Sequence, residues 1–146
     1  MKRKFLLVLV VGQLVAVATA LALQPAAKDN LEGTWKLASV EINGQPLSME
    51  KLQDARLAVQ GPKYSLALGD VHLEMTHVLI ADKEPKQMDV TIAEGAEKGQ
   101  FFRAIYKLEG DTFTVCRNIT AGAERPTKFA TQADTGLMLV VWTRSK

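Results

Sequence analysis

Residues 100–118, QFFRAIYKLEGDTFTVCRN, hold two segments rich in aromatic and β-branched residues on either side of Gly110-Asp111. Glycine supplies the positive φ that a tight hairpin needs, so Gln100–Leu108 and Thr112–Asn118 read as two antiparallel strands. Phe113 and Val115 alternate with Thr112 and Thr114, the period of two expected when one face is buried. Phe101–Leu108 is apolar at both parities, as is Leu137–Trp142. A second layer over one face is therefore expected, supplied by a short helix, by the N-terminal lead or by a partner.

The same grammar extends outward from this hairpin. Candidate strands are Thr34–Ile42, Ala55–Gln60, Lys63–Leu68, Val71–Ala81, Gln87–Ala93, the two just named, Thr127–Thr131 and Leu137–Arg144. Turn signals separate them at Asn43-Gly44, Gly61-Pro62, Gly69-Asp70, Glu94-Gly95 and Asp134-Thr135-Gly136. Met88, Val90 and Ile92 alternate with Asp89 and Thr91, and Tyr64, Leu66 and Leu68 with Lys63 and Ser65, which points those apolar sets inward. Within Pro46–Ala55, Ser48 is placed to cap a short helix bearing Glu50 in its first turn. The spacing predicts an all-β domain: an antiparallel up-and-down β-barrel of about eight or nine strands with one short helix after the first strand. A two-sheet sandwich is the nearest rival.

The start of the chain has a different character. Lys2, Arg3 and Lys4 precede an apolar run from Phe5 to Val17, and Ala18-Thr19-Ala20 follows with small side chains. That order is a secretory signal peptide, residues 1–20, with cleavage expected after Ala20 or, alternatively, Ala22. An uncleaved anchor is the competing reading, since a span needs roughly 20 apolar residues. Residues 21–30 form a short flexible lead, and 31–146 the folded domain. Of 18 basic residues three leave with the signal, so 15 face 16 acidic ones and the exported chain carries a net charge of −1. Without a basic block it has no electrostatic footprint for nucleic acid or anionic lipid. No stable membrane insertion after cleavage is expected, and a periplasmic or extracellular location follows.

Leu31-Glu32-Gly33-Thr34-Trp35-Lys36 opens the first strand, and Val140-Val141-Trp142-Thr143-Arg144 closes the last. This pairing resembles the lipocalin signature, which implies that Trp35 lies across the closed end of the barrel with Arg144 over it. The ordered segments LEGTWKLASVEINGQPL, KYSLALGD, YKLEGDTFTVC and RPTKF, with the Glu94–Gly99 loop EGAEKG, resemble a family of secreted lipocalin-like domains of unknown function, expanded in Planctomycetes. The resemblance spans residues 31–144. It implies a barrel and assigns no ligand.

Residues able to carry chemistry are few. Cys116 sits mid-strand with no base in view, and packing is the ordinary role of such a residue. His72 and Glu74 share a strand parity that His77 does not, so a metal site is not expected from them. No Ser-His-Asp order, phosphate-binding loop or Cys-x-x-Cys occurs, and neither a catalytic residue nor a cofactor is expected. The leading expectation is a non-enzymatic binding module whose partner is a small apolar or amphipathic ligand. Tyr64, Leu66, Met88, Val90, Phe102 and Tyr106 are the residues expected to line its site, and small inward residues such as Ala58, Ala67, Ala93 and Ala104 to leave it room. The alternative is a structural or interaction domain with a filled barrel that meets an envelope protein.

Overall fold

A computed structural model of the chain describes residues 29–146. The signal segment, its cleavage site and residues 21–28 of the lead lie outside the described residues. Nine strands follow one another: β1 Gly33–Ile42, β2 Gln45–Pro46, β3 Arg56–Gln60, β4 Lys63–Leu68, β5 Val71–Ile80, β6 Gln87–Ile92, β7 Phe101–Glu109, β8 Thr112–Asn118 and β9 Leu137–Arg144. Every neighbouring pair is antiparallel, and β1 pairs with β9 to close the sheet. Eight strands make the closed barrel, while the two-residue β2 folds back on the end of β1 through the Asn43-Gly44 turn. Both turn residues have positive φ, 52° and 78°, which Asn and Gly tolerate best. The helix expected in Pro46–Ala55 is a single 3₁₀ turn, Met49–Lys51, with the Ser48 hydroxyl accepting from the Glu50 amide.

β1 serves both ends of the barrel because it changes phase. Trp35 and Leu37 share one parity and Val40 and Ile42 the other, and the β1–β9 register shifts between Leu37 and Ser39. This bulge keeps both pairs facing the interior, where strict alternation would have turned Ser39 and Glu41 inward.

The end at which β1 begins and β9 finishes is filled. Trp35 and Phe113 lie 5.6 Å apart and Phe113 and Tyr106 6.2 Å apart, all three with no exposed surface. Leu31 plugs this end from below, and the Trp35 indole donates to its carbonyl at 2.9 Å. The Arg144 guanidinium stands 4.1 Å above the Trp35 ring and donates to the carbonyls of Glu32 and Asn30. Asp29 belongs to the same plug, accepting from the Tyr106 hydroxyl and from Lys86, both at 2.8 Å. The closed end thus takes in Asp29 and Asn30, which the sequence reading assigned to the lead. Arg144→Ala removes a cation–π contact and two charge-assisted hydrogen bonds. The expected loss is about 1–3 kcal/mol of unfolding free energy, checked by urea denaturation, and an unchanged midpoint would contradict it.

Thr127–Thr131 is not a strand. In a closed barrel β8 already has β7 and β9 on its two edges, so a further segment finds no ladder to join. The connection leaves the rim of the cavity at Ile119 and Ala121, and residues 125–131 then cross the outer face of the sheet. Arg125 anchors them, donating to the Ala104 and Met88 carbonyls and pairing with Asp89 at 2.7 Å. Lys107 lies over the Phe129 ring, and the Thr131 hydroxyl donates to Glu41. Beneath this connection Ile105 and Cys116, cross-strand partners with outward parity, are buried. The second apolar face of β7 is therefore covered by the β8–β9 connection.

Candidate ligand cavity

Above the aromatic plug the barrel is not filled. A cavity of about 480 Å³ occupies the other half, lined by side chains from seven of the eight barrel strands and by Leu47, Leu52 and Ala55 from the β1–β3 connection. Its floor and walls include Leu37, Val40, Leu66, Leu73, Met75, Met88, Val90, Phe102, Val115, Val140 and Trp142. Strand alternation explains the composition, since each of these residues occupies the inward parity of its strand.

Five of the six residues expected to line a site come together here: Tyr64, Leu66, Met88, Val90 and Phe102. Tyr106 does not. It points inward like Phe102, but two residue pairs further along β7 it falls within the closed half, and its hydroxyl is occupied by Asp29. Burial first, and then that hydrogen bond, push its phenol well above the ordinary tyrosine range. Of the small residues, only Ala104 faces the core, where it is fully buried without lining the cavity. Ala58 is exposed, and Ala67 shares the outward parity of Ser65. None of the four expected alanines lines the cavity; the small residue in its wall is Ala55.

The residue that sequence reasoning passed over is Arg117. It shares the inward parity of Phe113 and Val115, and its guanidinium lies 4.1 Å from the centre of the Phe102 ring in the cavity wall. Nη1 donates to the Asn118 carbonyl at 2.9 Å. Burial draws Arg117 below its ordinary range, opposed by the Tyr64 phenol, while burial pushes the Tyr64 phenol up, opposed by the Arg117 charge. Period-two continuation from Phe113 and Val115 was the available signal. A charged side chain in the third inward slot looks like a strand end reaching solvent, whereas Arg117 is half-buried in the cavity wall.

The remaining chemical candidates scatter. His72 and Glu74 face outward, where Glu74 accepts from the Ser65 hydroxyl at 2.6 Å. Among the described residues no group of three metal-ligating side chains assembles. Cys116 is enclosed under the β8–β9 connection, and burial raises its thiol above the usual value despite a weak contact to the Ala130 carbonyl. That environment disfavours the thiolate.

His77 faces inward, edge-on to Tyr64 at 5.7 Å, with a buried Nδ1 that has no partner. Burial lowers its pKa, the Glu32 carboxylate pulling the other way. The unfolded chain therefore takes up this proton at a higher pH than the folded one, so stability falls as the pH drops from about 6.5 through the folded value. Asp29 titrates in a lower window. Burial raises its pKa, but the bonds from Lys86 and Tyr106 outweigh that and leave it below 3.8. Its stabilising contribution is lost only as the pH falls below that level. His77→Gln is expected to flatten the stability profile between about pH 7 and pH 5 and to leave the acid limb unchanged. Urea midpoints measured across that range check this, and an unaltered slope would contradict it.

No protein-family model, no curated protein and no solved structure matches the chain.

Proposed function

We propose that the protein is an exported, non-enzymatic binding module that holds a small apolar or amphipathic molecule in the open half of its barrel. The observation that carries this reading is the cavity, whose volume of about 480 Å³ falls within the roughly 300–1,000 Å³ typical of small-molecule sites. Its lining is mainly apolar, with Tyr64 and Arg117 as the polar groups within the wall and Glu97 and Gln100 on the β6–β7 side. Such a ratio gives binding energy from burial and orientation from a few polar atoms. The signal-like start and the order of motifs from Gly33-Thr34-Trp35 to Arg144 support placing the domain among secreted lipocalin-like proteins.

Native mass spectrometry of the protein purified from its own cell without detergent tests the reading. The expected spectrum contains a species heavier than the polypeptide by the mass of one small molecule, released on unfolding. A spectrum of bare polypeptide, from protein that also takes up no apolar probe, would favour the envelope-interaction alternative.

A further inference from the structure

The cavity wall contains a cation that no described residue neutralises. Among the described residues Arg117 forms no salt bridge. Its one hydrogen bond goes to the Asn118 carbonyl. Glu97, the acidic residue that also borders the cavity, is exposed on the β6–β7 loop and lies outside salt-bridge distance. A guanidinium carries five donors, and the face of Phe102 satisfies none of them. Holding such a group in an apolar chamber is costly unless an anion completes it. Tyr64, the other polar side chain within the apolar wall, brings a hydroxyl donor into the same space.

We propose that Arg117 and Tyr64 form the receptor for a carboxylate, and that the ligand is an amphiphile with one carboxylate on an apolar body. The planar guanidinium matches a carboxylate in a two-bond fork, and its position against Phe102 fixes the plane of that fork. Leu66, Met75, Met88 and Val90 receive the apolar body, the two methionines adapting to its shape. This inference rests on the binding-module reading and adds charge to it.

The test is competition against a neutral apolar fluorophore, N-phenyl-1-naphthylamine, by dodecanoate and by dodecanol at a pH where the carboxylate is ionised. Dodecanoate is expected to displace the fluorophore at a concentration roughly tenfold or more below that of dodecanol. Arg117→Gln should bring the two competitors within roughly twofold of each other by weakening dodecanoate alone, and Arg117→Lys should restore part of the difference. Should the glutamine variant fail to fold, Arg117→Met keeps an apolar stem on Phe102 and carries the same expectation. Equal displacement by the two competitors in the unaltered protein overturns the carboxylate receptor while leaving the binding module in place. A preference that survives Arg117→Gln or Arg117→Met, with fluorophore binding intact, also overturns it. If the unaltered protein binds no fluorophore and neither competitor, both readings fall.

Discussion

Trp35→Ala is expected to remove about 3–5 kcal/mol of stability, the usual cost of emptying a large buried aromatic site. Trp35 has no exposed surface, and it is the piece on which the closed end converges. Phe113 packs against one side of it and Arg144 covers another, while its indole nitrogen holds the Leu31 carbonyl. Collapse into the vacated space is hindered because these neighbours are themselves pinned to different elements. Against a domain stability of about 5–15 kcal/mol, such a loss takes away between about a fifth of it and all of it. Urea denaturation followed by circular dichroism checks it, and a loss below about 1 kcal/mol would mean that the plug does not depend on this ring. Trp142→Phe is the contrast, since Trp142 borders the cavity and an aromatic ring is retained.

Leu66→Trp should abolish binding of an apolar probe while costing little stability. Leu66 is partly exposed to the cavity, so a larger ring has empty space to enter. Ala104→Phe behaves in the opposite way. Ala104 is fully buried beside the aromatic plug and does not line the cavity. An added ring there overpacks the core and is expected to cost about 1–3 kcal/mol, with only an indirect effect on the probe. Thermal melts and probe titrations on both variants separate a cavity that can be filled from a core that cannot. Equal destabilisation by the two would show that the open half is packed as tightly as the closed one.

Face was legible in this chain, but depth was not. Alternation in Gln87–Ile92 and Lys63–Leu68 placed Met88, Val90, Tyr64 and Leu66 inside, because a strand with one buried face can be read two residues at a time. Alternation assigns Phe102 and Tyr106 alike to the interior. Only the tilt and stagger of the closed sheet put one in the cavity and the other in the plug. Thr127–Thr131 has strand-like composition, yet strand formation requires a free edge as well as suitable side chains, and closure by β1 and β9 removes every edge nearby. Its Arg125 anchor and the buried Ile105–Cys116 pair account for the doubly apolar character of β7. Arg117 escaped notice for a related reason. Charge suggested solvent, whereas parity with Val115 carries it into the barrel.

Trp142 in the cavity wall offers a direct reading of whether the open half of the barrel is a binding chamber. Titration with N-phenyl-1-naphthylamine, followed by energy transfer from tryptophan, is expected to saturate at one probe per protein. The transfer should fall in Trp142→Phe, and saturable binding should vanish in Leu66→Trp. Probe fluorescence that rises without saturation, or a saturable signal untouched by Leu66→Trp in a folded protein, would contradict the claim.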